Sequence, residues 1–392
     1  MMKALQFVVL IIICLSRSLF AQTWESLPDI PEKLTFPVTA VVDGKIHIMG
    51  GGGVGGATNK HYQYDPQSNT WTIKAPIPYK AQQPAGTANN GKIHFFGGGF
   101  PTSGSPVKDH YVYDPILDTW KAAANIDPAR AIHYAVSLNN QLYSMAGQGV
   151  SDRFEQYDAN NNSWINKKKL PDSKFWYGAH VVADGKIFRF CGGGYTAPIN
   201  FAHEYEVATD TWLTLPNMPV AIHGLAGAAI GNKIYLVGGY HDFEDSKDVW
   251  VYNMDTKTYT PGVALPTGRT YHNMVSLDAC IYTLGGNNAI DATVGTSFLK
   301  FCPNVTGSFD EKQFNTPEIF TDHNFIRIDL KDRVPWNLKI LDVTGKQILA
   351  KKLNASINLS HRIEIQDLPA SIYFIQLTDQ KRKLNRSFII IN

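Results

Sequence analysis

The chain has 392 residues and a formal net charge of +2, with 18% charged and 44% hydrophobic residues. A balance this close to neutral argues against a nucleic-acid partner, because phosphate binding needs concentrated Lys and Arg. The length allows two or three domains, although a closed all-β ring can absorb most of it as one unit.

Lys3 precedes an apolar run from Ala4 to Leu15, and Ala21 offers a small residue before Gln22. The run is too short to span a bilayer, so residues 1–21 read as a secretory signal peptide. Lipid attachment at Cys14 is disfavoured because Ile13 stands where a small residue is needed.

From Asp43 to Trp71 the chain states a unit that recurs. Gly44-Lys45-Ile46-His47-Ile48-Met49 leads into glycines, then come Tyr62-Gln63-Tyr64-Asp65-Pro66 and Asn69-Thr70-Trp71. The second copy has Gly91-Lys92-Ile93-His94-Phe95-Phe96-Gly97-Gly98, Tyr113-Asp114-Pro115 and Trp120. The third changes its glycines to Ala146-Gly147 but keeps Tyr157-Asp158 and Trp164. The fourth keeps Gly192-Gly193, Tyr205 and Trp212, and the fifth keeps Gly238-Gly239 and Tyr252, with Tyr259 replacing the Trp. A sixth shows Gly285-Gly286, but no Trp follows Phe301-Cys302-Pro303. A period of about 45 residues points to a propeller, solenoid or array, and period-2 alternation between turns makes each unit all-β. Asp-Pro presets a tight turn, the glycine pair permits close backbone approach, and the Trp is a plate for the wedge between sheets.

The repeated Gly-Gly, Tyr-Asp-Pro and Trp set resembles the kelch family from about Thr23 to Ser308. The resemblance implies four-stranded blades around a central channel, and hence a six-bladed propeller over residues 22–308. Trp24-Glu25-Ser26 has the form of an outer strand with nothing before it, and is expected to complete the sixth blade and close the ring. Cys280 and Cys302 fall on adjacent strands of that blade, where they either form a disulfide or remain two buried thiols. Cys191 reads as a small core residue.

After Gly307 the glycine punctuation stops. With 309–324 as a linker, residues 325–392 offer strands at 325–330, 336–343, 347–353, 362–365, 372–378 and 388–391, enough for a small immunoglobulin-like β-sandwich. Leu338-Lys339-Ile340-Leu341-Asp342-Val343-Thr344-Gly345-Lys346, Asp367-Leu368-Pro369-Ala370-Ser371-Ile372-Tyr373 and the terminal basic-then-apolar run resemble the type A sorting domain of the type IX secretion system of Bacteroidetes. Ser371 stands where that family usually has Gly. The resemblance implies passage to the medium or outer-membrane surface of a Gram-negative bacterium, with the type IX machinery as a partner. The alternative is an accessory sandwich that binds something else.

Candidate ligand contacts are placed where chain enters each innermost strand: Gln83, His133, Tyr134, Trp176, Tyr177, His223, Arg269, Tyr271 and His272. Aromatic faces with His, Asn and Arg donors suit sugars or peptide carboxylates, although Tyr and His near blade starts also pack channel walls. Tyr271-His272 is similar to a copper-ligating pair of galactose oxidase, but no cysteine lies in an entering loop to crosslink a second tyrosine. No metal or cofactor is expected, since the cysteines lack metal-ligand spacing. Kelch-type sialic acid mutarotases offer a second enzyme reading, with Glu204 or Glu244 and Arg153 or Arg269 as a proton-transfer set. The leading expectation is a monomeric exported propeller that binds a glycan or an extracellular protein.

Overall fold

The computed structural model describes residues 23–303 except 54, 100–104, 173–175, 195–196 and 289–294, and residues 318–390 except 322–324, 331–334, 343–345, 354–359, 366–367, 370 and 379–382. The expected signal peptide lies outside the described residues. Six antiparallel four-stranded sheets form a ring. Their innermost strands are Val38–Val42, Ala85–Asn89, Tyr134–Leu138, Ala179–Ala183, Ala226–Ile230 and Asn273–Leu277, and the first neighbours the last. We number the blades in that order.

Blade 6 draws three strands from one end of the propeller and its outer strand, Glu25–Ser26, from the other, paired as Glu25 with Lys300 and Ser26 with Leu299. Trp24 lies 5.1 Å from Phe301, ring centre to ring centre. This closes the ring and leaves no blade with a bare face.

Three sets of hydrogen bonds link neighbouring blades, and the outermost runs all the way round. In the outermost, each blade's aromatic plate donates to a carbonyl of the preceding blade's trailing segment. Trp71 donates to Pro28 (2.9 Å), Trp120 to Ala75 (2.9 Å), Trp164 to Ala124 (3.0 Å) and Trp212 to Lys168 (3.1 Å). The Tyr259 hydroxyl keeps the bond, to Pro216 at 2.8 Å, and Trp24 closes the circle on Val263 at 2.9 Å. The Asn or Asp before the Thr/Ser-Trp of blades 2, 3 and 4 adds a second tie: Asp118, Asn162 and Asp210 accept both their own blade's Tyr hydroxyl and a backbone N–H of the blade before.

The glycine pairs make the second set. The second glycine's N–H donates to the next blade's entering loop: Gly51 to Ala81, Gly98 to Arg130, Gly192 to Ile222, Gly239 to Arg269 and Gly286 to Leu34, at 2.8–3.1 Å. A Cβ on Gly97, the first glycine of the blade 2 pair, would sit 2.7 Å from the Arg130 carbonyl of the next blade, so the backbones approach this closely only without a side chain. In blade 4 the position of the first glycine belongs to Cys191, at φ 57°, after a bulge between Phe190 and Gly192. The blade-4 frame is therefore Cys191-Gly192, one residue earlier than Gly192-Gly193. Cys191 is buried against Met218.

Cys280 and Cys302 form a disulfide. It stands where blades 1 and 2 have the ion pairs Lys45–Asp65 (2.9 Å) and Lys92–Asp114 (3.4 Å), at the point where the chain leaves the propeller.

The tail is a β-sandwich. One sheet has Glu318–Thr321, Phe325–Asp329 and Ser360–Glu364, and the other has Gln347–Leu353, Trp336–Leu341, Ser371–Thr378 and Lys383–Ile390. Ile326, Ile328, Trp336, Leu338, Ile340, Ile375 and Leu377 fill the space between them. Glu318–Thr321 lies within the stretch expected as linker: its backbone pairs with Phe325–Asp329 and draws the sandwich boundary back. The last strand begins at Lys383, not at 388, because residues 383–390 pair in unbroken register with 371–378.

Candidate functional site

Two residues before each innermost strand, the backbone enters the left-handed region. The positions are Phe36 (φ 50°), Gln83 (52°), Ile132 (56°), Tyr177 (61°), Gly224 (72°) and Tyr271 (55°), one per blade. Five of the six carry side chains, which avoid this region unless the surroundings impose it. The third set of backbone hydrogen bonds links four neighbouring pairs of these positions: Phe36 N–H to Tyr271 O (2.9 Å), Tyr271 N–H to Gly224 O (2.8 Å), Gly224 N–H to Tyr177 O (2.6 Å) and Ile132 N–H to Gln83 O (3.1 Å). Gly224 has no room for a side chain, since a Cβ would fall 2.1 Å from the Thr270 hydroxyl.

This conformation turns side chains across the axis. Phe36 packs on Tyr271 (4.3 Å between ring centres) and Tyr177 (5.5 Å), and the two tyrosines lie 5.1 Å apart, although they come from blades 1, 4 and 6. Gln83 donates to the Tyr177 hydroxyl at 3.3 Å, and the Tyr271 hydroxyl lies 3.5 Å from His223 Nδ1. An aromatic plug thus sits at one mouth of the central channel, whose cavity of about 350 Å³ is lined by the innermost strands. Burial raises the pKa of Tyr177 and lowers that of His223, so both are neutral at physiological pH.

Among the expected contacts, Gln83, Tyr177, His223 and Tyr271 come together here. Trp176 is on the same face and exposed. The other four are held away from the plug by their own partners, although His133, Tyr134 and His272 also line the channel cavity. His133 packs on Phe96 (5.4 Å), and burial followed by the nearby Arg130 charge drives its pKa well below the usual value. Tyr134 stacks on His180 at 3.8 Å, wedged between blades 3 and 4. Arg269 is spent on Ser297 Oγ (2.9 Å) and the Gly285 carbonyl (3.4 Å), and burial alone brings it down to about 10. His272 bonds Thr283 Oγ1 (2.6 Å) and the Val237 carbonyl (3.0 Å), and burial takes it to about 3. Tyr271 and His272 therefore diverge, and they form no joint ligand pair.

The proton-transfer set is likewise dispersed. Glu204 is buried with Lys186 (3.0 Å), Arg153 pairs with Glu155 (2.8 Å), and Glu244 sits in a short hairpin whose tip, Phe243, is 89% exposed. That hairpin adjoins the plug, as Tyr240 bridges His223 and their rings lie 5.4 Å apart. Phe36 was not expected at the site. Its signal is the alignment of Phe36-Pro37-Val38 with Gln83-Pro84-Ala85.

Comparison with known proteins agrees with this architecture. Residues 34–78 match the Kelch motif model, and residues 322–391 match the Secretion system C-terminal sorting domain, which marks the chain as exported. Kelch-like protein 26 of Danio rerio is 27% identical over 164 residues, 39% of this chain and 27% of that protein. Kelch-like protein 23 of Homo sapiens is 33% identical over 98 residues, 24% of this chain and 18% of that protein. The chain thus spans under a third of the length of these relatives. The solved structure of YjhT aligns with a TM-score of 0.59 at 16% identity over 70% of this chain and 95% of that one, a likeness of fold. Residues 87–286, half of the chain, match the KLHDC2/KLHL20/DRC7 Kelch-repeats domain. The chain belongs to that kelch-repeat family.

Proposed function

We propose that this exported kelch propeller is a binding module whose ligand, a glycan or an extracellular protein, docks on the face that carries the plug. The observation that supports this is the convergence of Phe36, Tyr177 and Tyr271, each half-buried, with Gln83 as a polar neighbour. A partly exposed aromatic cluster with uncharged donors and acceptors suits the apolar face and hydroxyls of a sugar, and exposed Trp176 and Phe243 extend the aromatic surface outward. The strained backbone beneath them is the kind of local cost that persists at binding sites.

A glycan array followed by tryptophan-fluorescence titration of the hits, with wild type and Tyr271→Ala in parallel, tests the reading. Binding by the wild type that weakens on the order of tenfold or more in the variant is expected, from the loss of one stacking ring. Equal binding by both proteins overturns the placement. NMR exchange between anomeric signals should be no faster with protein than without, and acceleration would replace binding with catalysis.

A further inference from the structure

Blades 1 and 2 each bury a histidine pair in the wedge they share with the next blade. His47 Nδ1 lies 2.8 Å from His61 Nε2, and His94 Nδ1 lies 2.9 Å from His110 Nε2, with ring centres 5.1 Å apart and planes 38° apart in both. The far nitrogens assign the tautomers. His61 Nδ1–H donates to the Ala75 carbonyl (3.3 Å) and His110 Nδ1–H to the Ala124 carbonyl (3.0 Å), so each Nε2 is a bare acceptor for the partner's N–H. Gln63 donates to His47 Nε2 at 3.0 Å, which is consistent with that order. Ala75 and Ala124 also receive Trp120 and Trp164, so each histidine pair ends on the carbonyl that joins two blades.

The equivalent positions in blades 3 and 6 hold Tyr143 on Phe154 (5.4 Å) and Tyr282 on Phe298 (5.8 Å), stacked pairs without a titratable nitrogen. Packing alone therefore does not call for histidine at these places.

We propose that the two pairs are an acid-operated latch. A proton taken up by Nε2 of His61 or His110 turns an N–H···N bond into two facing N–H groups, drives the rings apart and loosens blade 1 from blade 2 and blade 2 from blade 3. Burial lowers His61 and His110 from 6.5 to about 4, and burial with the partner imidazole lowers His47 to about 2 and His94 to about 3. The folded values lie below the unfolded one, so the latch contributes its full stability above about pH 6.5 and loses it as pH falls toward 4. Lys45 and Lys74 oppose a proton on the first pair and Asp118 favours it, while Lys92 opposes one on the second. The phenols of Tyr113 and Tyr157, packed edge-on against His61 and His110, remain neutral throughout this range.

The test is hydrogen exchange resolved by peptide, corrected for intrinsic rates, on the chain from residue 23 between pH 7 and 4. It compares the wild type with His47→Tyr, His61→Phe, His94→Tyr and His110→Phe combined, the residues blade 3 itself uses. In the wild type, segments 70–80 and 119–130 should lose on the order of tenfold more protection than the outer strands of blades 4 and 5, reversibly, and the variant should keep it. If the combined variant does not fold, H47Y/H61F and H94Y/H110F are made separately, each expected to protect only its own junction. Equal loss across all six blades, or the same loss in the variants, overturns the latch.

Discussion

Individual residues in this propeller are constrained most tightly where neighbouring blades exchange hydrogen bonds. Gly97 shows the effect: it sits at φ 62°, and a Cβ there would lie 2.4 Å from the His133 ring and 2.7 Å from the Arg130 carbonyl. Gly97→Ala should cost on the order of 3 kcal/mol, combining left-handed strain with overpacking, measurable as a shifted urea midpoint at unchanged slope. Trp120→Phe tests a gentler effect, since it keeps an aromatic ring while removing the donor to Ala75 and trimming the plate. A loss of about 1–2 kcal/mol is expected in the same assay, and the His61 donor still reaches that carbonyl. Residue types at such positions were legible beforehand because each serves a local job that repeats. The roles of Arg269, His272 and His133 were not, since burial is set by a neighbouring blade that local sequence does not describe.

Among the blades as elements, the sixth differs from the other five. Elsewhere a turn links the third strand to the fourth, but here the fourth strand arrives from the N-terminal end, so Phe298–Phe301 has backbone pairing and side-chain packing but no covalent turn to its outer neighbour. The Cys280–Cys302 bridge restrains that strand at its exit, in the place of a Lys–Asp pair. Replacing both cysteines by alanine should destabilise the propeller by about 3 kcal/mol, from the chain-entropy estimate for a loop of this size, and urea unfolding with and without reductant checks it. Wild type in reductant and the variant without it should agree. The strand pairing of this blade was readable from an orphan Trp at one end and a missing one at the other. Formation of the bridge was not, because adjacency along strands leaves side-chain direction open.

At the scale of the whole molecule, stability depends on circles that must close. Removing residues 23–31 deletes Trp24, its bond to Val263 and an outer strand, and should lower the melting temperature by roughly 10 °C in a calorimetric scan at fixed rate. The tail acts at this scale too. A chain lacking residues 316–392 should keep the propeller's circular dichroism yet fail to reach the medium or cell surface by immunoblot, and undiminished appearance outside the cell would remove the sorting role. Blade number, ring closure and the two-part organisation follow from sequence alone, because a repeat carries its turn chemistry and its hydrophobic alternation within a few dozen contiguous residues. The plug was decided by tertiary structure. Phe36, Tyr177 and Tyr271 come from blades 1, 4 and 6 and meet across the axis only in the closed ring, where each leaves a left-handed backbone in a direction set by neighbours far along the chain.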